Sequence, residues 1–247
     1  MRLQGKATIV TGAASGFGEG IARRYAAEGA KVIVADMNLD GARRVAAEIG
    51  GIAAGGDVSR EADVQALVDL AVAEFGGLDI VVNNAGTTHR NKPILEVTEA
   101  EFDRVYAVNV KSIFWMVRAS VPVLKARGGG SIINVSSTAG MRPRPGLTWY
   151  NSTKGAVNTA TLAMAQEFGK DNIRVNAICP VISATGLLTE FMGGPDTPET
   201  RARFVASIPL GRMSTPADIA NACVWLGEDA SSFITGVLLP VDGGRCA

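Results

Sequence analysis

One histidine and three cysteines are all that 247 residues offer as imidazole or thiolate ligands. Cys179, Cys223 and Cys246 are widely spaced and odd in number, which excludes both a zinc spacing and a disulfide framework. No metal is expected. No apolar run approaches the ~18 residues of a membrane span, and the opening MRLQGKATIVTG lacks the apolar centre of a signal segment. Lys+Arg and Asp+Glu are balanced at 24 each, so the basic excess that nucleic acid or an anionic membrane requires is missing. Linkers, repeats and low-complexity tracts are absent too. These absences predict a reduced, soluble, cytoplasmic protein with no nucleic-acid or membrane partner.

What is present is a hydrophobic share of 47%, enough for a sizeable core. Short β-branched runs recur: ATIVT (7–11), KVIVAD (31–36), LDIVVN (78–83), SIINVS (131–136), IRVNAIC (173–179), VLLPV (237–241) and a weaker GIAAGG before Asp57. Between them lie segments such as GEGIARRYAAEG and EADVQALVDLAVAEFG, with apolar residues at helical spacing. Strands apolar on both faces and separated by helices predict an α/β fold, a parallel sheet covered on both sides. Residues 1–247 read as one domain, with one irregular insertion at 186–214. Its Gly-Gly-Pro centre predicts two short helices on a mobile flap.

TGAASGFG (11–18) follows the first strand and opens the first helix. Gly12, Gly16 and Gly18, with Ser15 and Phe17 between them, let backbone approach a pyrophosphate at a helix N-terminus. Asp36 ends the second strand, where a carboxylate can accept hydrogen bonds from both ribose hydroxyls. A 2′-phosphate would meet that carboxylate as a like charge. The glycine loop has no Arg or Lys, and Met37 follows the aspartate, so NAD(H) is the expected cofactor.

YNSTK (150–154) places Tyr150 and Lys154 one helical turn apart on one face. Together with the glycine loop, Asp57-Val58, NNAG (83–86, with Asn84, Ala85 and Gly86), Asn109 in YAVNV and Ser137 in INVSS, these residues resemble the short-chain dehydrogenase/reductase family. The resemblance covers essentially the whole chain. It implies a Rossmann-type doubly wound sheet of seven parallel strands, with the nicotinamide at their carboxyl ends. It assigns catalysis to Asn109, Ser137, Tyr150 and Lys154 and adenine contact to Asp57 and Val58. Lys154 also reaches the nicotinamide ribose, Ser137 holds the substrate oxygen, and Asn109 retains a water. After the sixth strand the chain departs from the family's Pro-Gly-x-x-x-Thr and reads PVISAT (180–185). Val181 replaces the glycine, Ser183 stands where a backbone contact to the carboxamide is made, and Thr185 matches.

The chemistry implied is interconversion of a secondary alcohol and a ketone, with hydride passing to or from NAD and a proton passing through Tyr150. A cation one turn away should lower the tyrosine's pKa from its ordinary value of about 10 toward neutrality. A 3-oxoacyl-thioester reductase is the alternative within enzymes, and a non-catalytic nucleotide-binding protein the alternative outside them. For the substrate, Leu187, Leu188, Phe191 and Met192 form one apolar stripe on the flap, with Leu147 and Trp149 as the opposite wall. That favours a neutral, apolar substrate. Arg144 or His89 turned inward would reverse it, although both read first as solvated loop residues, as do Arg90 and Arg142. Cys179 reads as core. Segments 98–126 and 150–168 carry broad apolar faces (Phe114, Met116, Val117, Val157, Leu162, Met164), which the resemblance makes a homotetramer interface.

Overall fold

The computed structural model describes residues 1–247. Seven strands form one sheet: β1 Ala7–Thr11, β2 Lys31–Asp36, β3 Ile52–Gly55, β4 Ile80–Asn83, β5 Gly130–Val135, β6 Ile173–Pro180 and β7 Leu238–Val241. Their order is β3-β2-β1-β4-β5-β6-β7, and all six pairings are parallel. This is the doubly wound arrangement predicted. From β1 the chain first winds outward to β3, then crosses to β4 and winds the other way. The crevice beyond the carboxyl ends of β1 and β4 is therefore where a ligand finds room.

Alternate residues of each strand feed opposite layers. Val10, Val34, Val82 and Ile133 pack with α1 (Gly16–Ala27), α2 (Leu39–Ile49) and α9 (Pro216–Gly227). Ile9, Ile33, Val81 and Ile132 pack with α3 (Glu61–Phe75), α5 (Ser112–Ala126) and α6 (Thr148–Phe168). On the first face the Tyr25 hydroxyl donates to Cys223 O at 2.8 Å, joining α1 to α9. Helix α9 starts at a capping box in which Thr215 and Asp218 satisfy each other's backbone, with Pro216 in the first turn. Cys179 and Cys223 are buried free thiols.

Helix α4 (Glu99–Tyr106) runs into α5 through a π-helical turn, Ala107–Lys111. The joined helix Glu99–Ala126 is long and apolar enough, by length and composition, to cross a membrane, which corrects the reading that no run approaches that length. Met116, Val121 and Leu124 from its inner side belong to the core beneath the sheet. A buried amide chain ties the same layer to the strands. Asn83 Nδ2 donates to Asn134 Oδ1, and Asn134 Nδ2 donates to Thr161 Oγ1, both at 2.9 Å. It fixes α6 relative to the carboxyl ends of β4 and β5.

The flap contains α7 (Leu188–Met192) and α8 (Pro198–Val205), parted by Gly193 at φ 68°. The two short helices match the sequence reading.

Ile132 and Ile133 are both fully buried on opposite faces. Ile132→Ala and Ile133→Ala should each lower stability by about 2–5 kcal/mol, read by urea unfolding; a loss below about 1 kcal/mol at either would exclude that face as core.

Candidate active site

One cleft of about 880 Å³ runs across the carboxyl ends of the strands and gathers most of the residues singled out in the sequence. At one end lies the glycine loop. Gly12 and Gly16 adopt left-handed φ of 64° and 59°, and a Cβ on Gly12 would sit 2.9 Å from Ala85 Cα. A Cβ on Gly18 would collide with Gly12 O and the Asn84 amide. The cradle therefore closes only without side chains. Ser15 makes no side-chain cap on α1, so the helix N-terminus keeps amide hydrogens for an anion.

Asn84 does not line this end as a free ligand. Its amide donates to Thr11 O at 2.8 Å and Gly12 O at 3.1 Å, while Thr11 Oγ1 accepts from the Asn84 and Ala85 backbone at 3.1 and 3.0 Å. Asp36 is pinned by Ala14 N at 3.0 Å and Asn38 N at 2.8 Å. A carboxylate accepts about four hydrogen bonds, so lone pairs remain for two ribose hydroxyls. Asp57 turns Oδ1 to Ser59 at 2.8–2.9 Å and lines the cleft beside Val58. A cation not foreseen, Arg44, reaches Ala14 O at 3.1 Å but is paired with Glu19 at 2.9 Å. The donors and acceptors present fit a dinucleotide with a free 2′-hydroxyl.

At the other end, α6 brings Tyr150 and Lys154 together. Lys154 is buried, donates to Val135 O at 2.8 Å and lies 5.8 Å from the Tyr150 ring centroid. Ser137 caps a short 3₁₀ turn, its Oγ accepting from Ala139 N at 3.0 Å, and faces the phenol. Asn109 sits inside the π-helical turn, a local insertion that often marks functional positions. Its Oδ1 accepts from Thr87 N at 2.8 Å, and its Nδ2 donates to Thr87 O at 2.9 Å and Thr153 Oγ1 at 3.0 Å. Gly86 keeps the space between this amide and Lys154 open, since a Cβ there would meet Asn109 Oδ1 at 3.5 Å and Lys154 Nζ at 3.7 Å.

The electrostatics differ from the expectation. Burial pushes the Tyr150 phenol up to about 12, against the opposing pull of Ser137 and the Arg144 charge. Burial also pushes Lys154 down to about 8. Lys154 does not bring the phenol toward neutrality, because its ammonium is committed to the Val135 carbonyl while the ring is desolvated. In the protein by itself the phenol stays protonated at neutral pH.

The substrate residues divide. Leu187 and Phe191 line the cleft, and the Phe191 ring stands edge-on 5.1 Å from Tyr150. Leu188 is buried beneath the flap and Met192 is half-buried away from the cleft, so the stripe is split across two sides of a helix only five residues long. Leu147 is fully buried in the interior and Trp149 packs on Phe102 at 5.0 Å; neither forms the expected wall. His89 is also buried outside the cleft, its Nδ1–H donating to Arg90 O at 2.9 Å. Of His89 and Arg144, only Arg144 turns inward; Arg142, also expected in solvent, lines the cleft with it. Ser183 spends its hydroxyl on Ser214 O at 2.6 Å. Val181, buried and outside left-handed φ, needs no glycine. Thr185 lies against Gly16, where a Cβ would touch its methyl at 3.5 Å. Met37 lines the cleft beside Asp36, and Phe204 and Arg245 line it without any motif to announce them.

One end of the cleft suits a dinucleotide, and the other offers a transferable proton beside it, which defines a nicotinamide-dependent oxidoreductase on a doubly wound sheet. A family model described as enoyl-(acyl carrier protein) reductase matches residues 12–245. The chain belongs to the short-chain dehydrogenase/reductase family. It is 53% identical to the 4-formylbenzenesulfonate dehydrogenase TsaC1/TsaC2 of Comamonas testosteroni, over 99% of each chain. Among solved structures, a 3-ketoacyl-(acyl-carrier-protein) reductase from Brucella melitensis complexed with NADH superposes with TM-score 0.94. That protein is 46% identical, with 99% of this chain and 100% of the other covered. A 7α-hydroxysteroid dehydrogenase complexed with NADH and 7-oxo glycochenodeoxycholic acid gives TM-score 0.91 at 38% identity, over 98% and 95% of the two chains. The cofactor is NAD(H).

The depressed Lys154 value carries a stability consequence. Between pH 8 and 10.5 the unfolded chain binds more protons at this position than the folded one, so stability rises with pH through that window. Lys154→Met should therefore be more stable than the parent at pH 7, and the advantage should shrink as pH climbs from 8 to 10.5. Thermal melts of both proteins across that range check it; a difference independent of pH would exclude the mechanism.

Proposed function

We propose that the chain interconverts a secondary alcohol and a ketone, with Tyr150 as general acid and base. The observation that carries this reading is the placement of Tyr150, Ser137 and Lys154 in the same cleft as Asp36 and the glycine loop. NAD(H) accepts or supplies the hydride at the substrate carbon. Ser137 holds the substrate oxygen against the phenol, and Tyr150 gives its proton in reduction or takes one in oxidation. Lys154 orients the nicotinamide ribose from its seat on Val135 O. Asn109, locked to Thr87 and Thr153, keeps a polar opening beside Lys154 for a water in the proton path. Asp36 holds the adenosine ribose.

The similarity to a 3-ketoacyl-(acyl-carrier-protein) reductase supports a second reading, reduction of a 3-oxoacyl thioester. Asp171, just before β6 where docking would call for a basic residue, is acidic and tied to Lys125 at 2.7 Å, which speaks against it. We also propose a homotetramer in a reducing cytoplasm. Phe114 on α5 and Leu162 on α6 are exposed on one layer, in support of helix pairing between subunits. Met116 and Val157, once assigned to that interface, are buried inside the subunit and take no part. Light scattering on a size-exclusion column tests the assembly, and a monomer at micromolar concentration would exclude it.

Tyr150→Phe should abolish turnover while NADH affinity stays within a few-fold, since only the transferable proton is removed; steady-state kinetics paired with NADH fluorescence titration check both halves. Asp36→Ala should weaken NAD by roughly 10- to 150-fold, the worth of a charge-assisted hydrogen bond, and narrow the discrimination against NADP.

A further inference from the structure

Three arginines line the substrate end of the cleft, and no carboxylate answers them. Arg142 Nη1 donates to Arg245 O at 2.6 Å and Arg144 Nη2 to Phe191 O at 3.2 Å, both main-chain carbonyls. The carboxylates that line the cleft are Asp36 and Asp57, at the nucleotide end, and Asp103 on α4; a fourth cleft arginine, Arg104, donates to Thr87 Oγ1 at 2.9 Å. Arg144 is the most enclosed of the three cations. Its Cζ lies 5.0 Å from the Phe204 ring centroid and 5.8 Å from that of Phe191, so both flap helices press an aromatic face on the guanidinium. Burial makes its protonated form less favourable than in water; Tyr150 opposes this, and the like charge of Arg245 adds to it. Only one of its five N–H donors has a protein acceptor.

A desolvated guanidinium beside a like charge, with most of its fork unused, is unfavourable until an anion arrives. A planar fork matches an oxyanion better than a neutral dipole. The position is also specific. Phe191 bridges the cation and the reacting centre, 5.1 Å from the Tyr150 ring on one side and 5.8 Å from Arg144 Cζ on the other. A rigid, flat spacer could join them.

We infer that the substrate carries a carboxylate or sulfonate at the end remote from its carbonyl, on an aromatic or similarly flat body, and that Arg144 binds it. This rests on the oxidoreductase reading and replaces the neutral substrate expected from the flap's apolar stripe. The reaction is unchanged: hydride from NADH reaches the carbonyl carbon, Tyr150 protonates the oxygen, and a secondary alcohol and NAD⁺ leave.

The test compares three ketones as NADH oxidants: 4-acetylbenzoate, 4-acetylbenzenesulfonate and the near-isosteric neutral 4-acetylbenzamide. At least one acid should exceed the amide in kcat/KM by about tenfold or more. Whichever acid leads identifies the oxyanion. In Arg144→Gln the acid-to-amide ratio should fall to within about threefold of one, and Arg144→Lys should retain part of it. A ratio near one in the parent protein, or one that survives Arg144→Gln, overturns the inference. If none of the three oxidises NADH, the ketone reading is at fault, and calorimetry on the NADH-bound protein decides the anion site. Terephthalate should then bind and terephthalamide should not, with Arg144→Gln losing the difference; equal or absent binding of the two overturns it.

Discussion

Thr11 and Asn84 tie together the two loops that leave the sheet where its strand order turns round. β1 and β4 pair through Thr8, Ile9 and Val10, and beyond that ladder the loops after them would otherwise part. The Thr11 hydroxyl accepts two backbone N–H groups from the loop after β4, and Asn84 returns two hydrogen bonds to the loop after β1. Because these are buried or half-buried polar groups, each lost partner leaves an unsatisfied group as well as a broken tether. The glycine loop, Gly86 and the position of Asn109 relative to Thr87 all depend on this knot. It explains why the loop's glycines are fixed by packing as firmly as by any ligand: Gly18 has no room for a side chain because Asn84 and Gly12 already fill the space.

At the reacting end, desolvation outweighs attraction. The Tyr150 phenol is buried within reach of two cations, yet its acidity falls instead of rising. Of those cations, Arg144 acts on it more clearly than Lys154, which is itself partly discharged by burial and turned to a carbonyl. A resting phenol suits proton donation to a ketone. Alcohol oxidation needs added positive charge nearby, and an oxidised nicotinamide carries one.

Much of this was legible in the chain, for reasons that differ between parts. The strands announced themselves because both faces of a parallel sheet are buried, leaving β-branched runs such as KVIVAD with no polar alternation. The glycine loop and YNSTK were readable because backbone proximity and a one-turn spacing are local properties. Substrate contacts are not local. Leu147, Trp149 and His89 neighbour catalytic motifs in sequence but turn into the interior. Phe204 and Arg245 reach the cleft from 50 and 91 positions beyond Lys154 in the numbering, through a flap and a C-terminal turn without any motif. The π-helical turn was equally silent: YAVNV reads as ordinary helix, and the extra residue per turn comes from its tertiary setting.

The bond from Arg144 to Phe191 O, and the rings of Phe191 and Phe204 over its guanidinium, make the cation's position a property of the flap. That cation in turn favours the ionised form of Tyr150. Two equilibria then share one free energy. If closing the flap strengthens the pull on the phenol's proton, losing that proton must hold the flap shut by the same factor. Ionisation and flap position are thereby coupled, so a flap displaced from Arg144 would change the acidity of the residue beneath it.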